Sequence, residues 1–192
     1  MILKTLTLIR HTQPDIPPGI CYGQTDVDVA ENFAVEAAAI SGWLTPPELI
    51  VTSPLLRTHR LAEYLATQHR CELRSHAGLM EMNFGDWEGR SWNNIARSEI
   101  EAWNLNILNY VPPNGESAQQ MMQRVRSVMQ DLARLPQQHI AIVAHGGSIR
   151  AVLAQKAAIP LSQTLGWQID YGAVIMTSDV VKSSRIPQPQ QT

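Results

Sequence analysis

Four residues of this chain have the chemical character to handle a phosphate group, and each comes at or shortly after the end of an apolar run. Arg10 and His11 follow Leu6-Thr7-Leu8-Ile9, Arg57 comes soon after Leu49-Ile50-Val51-Thr52, and His145 follows Ile140-Ala141-Ile142-Val143-Ala144. The planar fork of arginine makes paired hydrogen bonds to phosphate oxygens and never loses its charge, so Arg10 and Arg57 suit a clamp on a dianion. A neutral imidazole can attack phosphorus and divide one difficult displacement into two easier ones. Positive groups around it would stabilise the charge spread over the transferring oxygens. One histidine would attack; the other, if cationic, would stabilise.

The departing alkoxide needs an acid. Glu81, Asp86 and Glu88 all lie in the Gly-punctuated stretch 79–89, where Glu81 is the best placed by sequence character and spacing alone does not choose among them. The sequence asks for no metal and no other cofactor. It offers no evident carboxylate pair to hold a phosphate-bound Mg²⁺, and its histidines lack close ligand spacing such as HExxH.

These side chains need a scaffold that delivers them to one place. Apolar runs predict strands over 5–9, 48–52, 71–75, 139–144, 165–170 and 173–180. Spacing of apolar residues predicts helices over 31–44, 91–109, 116–135 and 149–157. A further helix is expected over 53–69, with Ser53 as N-cap and Pro54 in the first helical position, which puts Arg57 on its first turn. Pro14, Pro17, Pro18 and Gly19 make 13–25 an irregular loop of the kind that usually carries function. The alternation predicts one α/β domain over 1–182, a three-layer structure with a mostly parallel central sheet and helices on both faces. The Pro/Gln/Ser tail 183–192 is expected to be disordered.

In doubly wound sheets, ligands bind outside the carboxyl ends of the strands. Arg10, His11, Ser53, Arg57, His145 and Gly146 would therefore meet in one crevice, where two helix N-termini add partial positive charge and free backbone N–H groups.

Composition narrows the partners. The chain has 192 residues, 44% hydrophobic and 17% charged, with 15 Lys+Arg against 17 Asp+Glu and a net charge of −2. No long run of either sign offers a footprint for nucleic acid or an anionic membrane, so the expected partner is a small phosphomonoester. Cys21 and Cys71 have no CxxC spacing and fit a reducing compartment. No apolar run approaches the roughly 18 to 20 residues that span a bilayer, and a cytoplasmic location is expected. Oligomeric state is left open.

Other residues have plainer readings. His59, His69, His76 and His139 are expected to be structural or solvated. Trp87, Trp92 and Trp103 read as core or pocket wall, with Trp87 and Tyr22 the two to watch at a substrate pocket. Glu116 and Ser117 read as a helix start.

The segments Arg10-His11-Thr12, Ser53-Pro54-Leu55-Leu56-Arg57-Thr58, 79–89 around Glu81, and His145-Gly146-Gly147-Ser148-Ile149-Arg150, in that order, resemble the histidine phosphatase (phosphoglycerate mutase-like) superfamily. Gly19-Ile20-Cys21-Tyr22-Gly23-Gln24-Thr25-Asp26 also resembles its branch containing α-ribazole phosphatase. The resemblance implies that His11 is the phosphorylated nucleophile, that Arg10, Arg57 and His145 hold the phosphoryl group, and that Glu81 is the proton donor. It implies hydrolysis of α-ribazole 5′-phosphate in cobalamin nucleotide-loop assembly. A broad-specificity sugar-phosphate phosphatase, a phosphoglycerate mutase and a non-catalytic phospho-recognition module are the alternatives. Many members have Gly-Glu after the Arg-His pair where this chain has Thr12-Gln13, which leaves the role of Thr12 open.

Overall fold

A computed structural model of the chain describes residues 5–177. Five strands form one sheet: β1 (Thr5–Arg10), β2 (Leu49–Thr52), β3 (Glu72–Ser75), β4 (His139–Ala144) and β5 (Val174–Met176), in the order β3-β2-β4-β1-β5. All neighbours pair in parallel except β5, which runs antiparallel to β1. The helices are α1 (Phe33–Trp43), α2 (Leu56–His69), α3 (Arg97–Leu105), α4 (Ala118–Ala133) and α5 (Gly146–Ala157).

Alternation along the strands divides the interior into two cores. Leu6, Leu8, Val51, Ile140 and Ile142 point to one face and pack under Met121, Val125 and Val128 of α4 and Ile149, Val152 and Leu153 of α5. Ile9, Ile50, Ala141 and Val143 point to the other, under Ala37 and Ile40 of α1 and Leu61, Ala62 and Leu65 of α2. Side chains at successive strand positions face opposite ways, so a run with no polar break must be covered on both sides. A third cluster joins Cys21, Trp87 and Ile95 to Phe84, Trp92, Trp103 and Tyr110 beside α3.

The register sets the site. Arg10 lies opposite Ala144, and Thr52 opposite Val143. The ladder continues one step further, with His11 N–H donating to Ala144 O and Ser53 N–H to Val143 O. His11, Ser53 and His145 therefore leave the sheet side by side. From adjacent β1 and β4, the crossovers run to opposite sides of the sheet, through α1 and α5, which makes their shared edge the point where the winding reverses.

Several local expectations are corrected. Residues 165–170 form no strand, and of the expected strand over 173–180 only Val174–Met176 is seen; 178–180 and the expected tail 183–192 lie outside the described residues. The expected helix 91–109 is broken into a 3₁₀ turn, Trp92–Asn94, and α3, because Ile95 and Ala96 are extended. Ser53 is not an N-cap; its hydroxyl accepts from Leu55 N–H, and α2 begins at Leu56. Helix α5 starts at Gly146 and not Ile149. Ser117 does open α4, in a capping box with Gln120. Among the described residues, no helix is long and apolar enough to cross a membrane.

Candidate active site

His11 and His145 end neighbouring strands, and both are buried. Their ring centroids lie 5.2 Å apart at an interplanar angle of 61°. His11 Nδ1 is 2.7 Å from Thr12 O. A carbonyl can only accept, so Nδ1 carries the hydrogen, and in the neutral ring Nε2 keeps its lone pair. Burial, then the charges of Arg57 and Arg10, hold the His11 pKa well below its usual value. Burial, then His11 and the nearby arginines, do the same to His145. The second ring is thus held neutral, so it can stabilise a phosphoryl group only by hydrogen bonding and not as a cation.

Arg57 is fully buried on the first turn of α2. Its Nη1 and Nη2 donate to Thr25 O and Gly23 O, at 2.9 and 2.6 Å. Arg10, at the end of β1, donates Nη1 to Ile169 O at 2.6 Å. Both guanidiniums are held by backbone carbonyls, and among the described residues neither is bonded to a carboxylate. Burial lowers the Arg57 pKa, while Glu81, Tyr22, Asp26 and Glu88 raise it.

Buried side-chain polar atoms normally find a partner, so the exceptions carry information. Among the described residues, six buried side-chain polar atoms have no hydrogen-bond partner, and four of them, Arg10 Nε, Thr12 Oγ1, Arg57 Nε and His145 Nδ1, belong to residues at this sheet edge; the other two are Trp103 Nε1 and Gln137 Oε1. Uncancelled cations and idle polar atoms in one water-poor place are what a tetrahedral dianion satisfies.

Glu81 reaches the same edge from the loop after β3. Its Oε1 accepts Met82 N–H at 2.9 Å, and its Oε2 accepts Gly147 N–H at 3.0 Å. Arg124 of α4 pins this loop by donating to the carbonyls of Gly78, Met80 and Glu81, while pairing with Glu116. The competing acids are occupied elsewhere. Asp86 accepts from the Asn114 amide, and Glu88 accepts from the backbone of Gln24, Thr25 and Phe84. The expected N-terminal field is also partly used. Asp26 takes Leu56 N–H at the start of α2, and Glu81 takes Gly147 N–H at the start of α5.

A cavity of about 230 Å³ opens beside Glu81, lined by Met82, Phe84, Trp103, Met121, Leu161 and Arg150 among others. Trp103, not the fully buried Trp87, faces it. His59, His69, His76 and His139 take structural partners, Glu63, Ser41, Gly78 N–H and Thr7 respectively.

Sequence reasoning missed Tyr171. Its ring lies under Arg10, with Cζ 4.0 Å from the centroid, and its hydroxyl is 2.6 Å from that of Tyr22. The only local signal was an aromatic residue before Gly172, whose positive φ turns the chain.

The chain matches the histidine phosphatase superfamily (branch 1) over residues 6–178. It is 27% identical over 175 residues to the adenosylcobalamin/alpha-ribazole phosphatase of Escherichia coli, covering 87% of this chain and 86% of that protein. It is 30% identical over 178 residues to the glucosyl-3-phosphoglycerate phosphatase of Mycobacterium tuberculosis, covering 84% and 79%. The solved structure of a mycobacterial glucosyl-3-phosphoglycerate phosphatase superposes with a TM-score of 0.79 at 26% identity, covering 90% of this chain and 89% of that one. With the match running through all four segments that carry the buried histidines, the arginines and Glu81, the chain belongs to the histidine phosphatase superfamily, branch 1.

Proposed function

We propose that this phosphatase works through a phosphohistidine on His11 and that its favoured substrate is α-ribazole 5′-phosphate. The observation that carries the mechanism is the pair of buried neutral imidazoles set among arginines that bond backbone carbonyls.

His11 Nε2 attacks phosphorus in line with the ester oxygen, forming the N–P bond as the P–O bond breaks. Arg10, Arg57, the Thr12 hydroxyl and His145 hold the phosphoryl oxygens, drawing on buried atoms that have no partner among the described residues. Ser53 Oγ is 2.9 Å from His145 Nε2. Donation from that hydroxyl leaves the hydrogen on Nδ1, which then points to the phosphoryl group. Glu81 gives its proton to the departing alkoxide. As a carboxylate it then takes a proton from the water that attacks phosphorus, which releases inorganic phosphate and restores His11.

The substrate reading rests on the cavity beside Glu81. Its lining is mostly apolar and aromatic, with Glu81 and Arg150 the charged residues in it. A leaving alcohol that carries a flat benzimidazole, as α-ribazole does, gains from that burial. A sugar or an amino acid would shed hydration there without enough partners to replace it. The resemblance of residues 19–26 and the likeness to the Escherichia coli enzyme support the same choice.

The test is kcat/KM over a panel containing α-ribazole 5′-phosphate, glucosyl-3-phosphoglycerate, phosphoserine, 3-phosphoglycerate and p-nitrophenyl phosphate. α-Ribazole 5′-phosphate should lead the panel. Equal or better turnover of a sugar phosphate would overturn the substrate, and isomerisation of 3-phosphoglycerate would point to a mutase.

A further inference from the structure

We infer that Tyr171 is a positioning residue for the phosphate clamp: its ring fixes the attitude of Arg10 without cancelling its charge. This rests on the phosphatase reading above.

The segment from Ile169 to Gly172 runs along the carboxyl edge beside β1 and holds both residues that end that strand. Ile169 O accepts from Arg10 Nη1, and Gly172 N–H donates to His11 O at 3.0 Å. Between these two anchors, Tyr171 lays its ring against the guanidinium, 4.0 Å from Cζ to centroid, and 5.4 Å from the His11 ring. One terminal nitrogen of Arg10 is tied to the carbonyl and its face is set on the ring, while Nε remains buried and without a partner. Two fixed directions determine the plane of a guanidinium. The free edge is then aimed before the phosphate arrives.

The opposite arm of the clamp is tied in by the same device. Tyr22 places its ring 5.2 Å from Arg57 Cζ, and the two phenol oxygens meet at 2.6 Å. Burial and the hydrogen bond to Tyr171 raise the Tyr22 pKa, so the bridge stays protonated. Arg10, Tyr171, Tyr22 and Arg57 form a continuous chain from β1 to α2. A carboxylate in the place of either ring would hold its arginine as well, but would cancel the charge that the phosphate needs. An aromatic face attracts the cation and leaves its edge donors free.

A residue acting on the phosphoryl end affects every ester alike, and also affects phosphate alone. Tyr171→Leu, Tyr171→Phe and the unaltered protein are compared by kcat/KM for p-nitrophenyl phosphate and a bulky alkyl phosphate, and by the Kd of inorganic phosphate in calorimetry. Tyr171 is 41% exposed, so the variants are expected to fold, and a melting curve checks this. Tyr171→Leu should lose roughly five- to thirty-fold in kcat/KM for both esters and a similar factor in phosphate affinity, the size of one well-placed ring–cation contact. Tyr171→Phe keeps the ring and should stay within about threefold of the unaltered protein.

The inference is overturned if Tyr171→Leu changes phosphate affinity less than twofold, if Tyr171→Phe is as impaired as Tyr171→Leu, or if the loss is confined to one ester. Failure of the unaltered protein to hydrolyse any ester would instead sink the proposed function. The phosphate titration would still decide the role of Tyr171.

Discussion

Glu81 Oε2 accepts the backbone N–H of Gly147 at 3.0 Å, which ties the proposed proton donor to the first turn of the helix that His145 leads. The contact depends on the absence of a side chain at position 147. A Cβ there would stand 2.2 Å from Glu81 Oε1 and 3.3 Å from Met121 Sδ. The backbone at Gly147 is helical, so alanine fits the chain and improves helix propensity by up to about 1 kcal/mol. Gly147→Ala is therefore expected to move the carboxylate without unfolding the protein. Its kcat should fall roughly 10- to 100-fold, part of what general acid–base catalysis supplies, while the melting temperature holds or rises. An unchanged kcat would show that the contact does not position Glu81.

Arg124 is the second support of Glu81. It donates to three carbonyls of the loop that carries Glu81 and pairs with Glu116, both side chains being mostly shielded from water. Glu116 in turn accepts Asn83 N–H. Arg124→Ala removes one partner of a shielded pair and frees three carbonyls, and should destabilise the fold by about 3 to 5 kcal/mol. Arg124→Lys restores the charge but not the fork, so stability should recover more than kcat does. Urea denaturation and kcat, measured on both variants, check this; equal recovery of both quantities counts against a positioning role.

The main frame of the site was legible in the sequence because it is local. Ile9 to His11 and Ala144 to His145 change from apolar to ionisable in one step, and a parallel register then needs only strand adjacency to bring the two rings together. The stretch 165–170 reads as a strand in the sequence, but its backbone is used by side chains from elsewhere: Arg150 donates to Trp167 O and Arg10 to Ile169 O, which removes those carbonyls from any ladder. Residues 91–109 carry helical spacing throughout, with no Gly or Pro to mark the break at Ile95. The break comes from packing, where Ile95 is buried with Trp87 and Cys21. Tyr171 was invisible for the same reason as 165–170: its partners, Arg10, His11 and Tyr22, are all more than a hundred residues away.

The proposed nucleophile and the proposed acid make separable demands on the chemistry. His11→Ala removes the ring whose Nε2 is left free by a carbonyl on the other nitrogen, and turnover should be abolished. Glu81→Gln keeps the shape but cannot supply the proton, and should slow turnover by about 10² to 10⁴-fold. Quench of the Glu81→Gln reaction with detergent at alkaline pH, where the N–P bond survives, should trap phosphate on protein with p-nitrophenyl phosphate, whose phenolate leaves without help. Full activity in either variant removes its assignment.

Charge neutralisation at this site is assigned to Arg10, Arg57 and the idle polar atoms around them. Prolonged EDTA treatment should leave kcat unchanged. Loss of activity that Mg²⁺ restores would require a different mechanism.

Acid should unfold this protein sooner than its carboxylates alone would dictate. His11 and His145 are buried with pKa values held well below 6.5, burial being the largest cause for each. In the unfolded chain both take up protons near pH 6.5. Between that value and the lower folded values, the unfolded state binds more protons, so stability increases with pH in this window. The contribution is complete above about pH 6.5 and is lost as pH falls through that value toward the folded pKa values, at up to about 1.4 kcal/mol per pH unit for each ring. Unfolding by urea between pH 8 and pH 5 should show this slope in phosphate-free buffer, since bound phosphate would add its own stabilisation. His145→Asn should flatten the slope by close to half. A stability that stays level from pH 8 to pH 5, or a slope untouched by His145→Asn, would mean that the rings do not remain neutral on folding. The kcat/KM profile should agree, with no acid limb at the ordinary histidine value beyond the one set by ionisation of the ester itself.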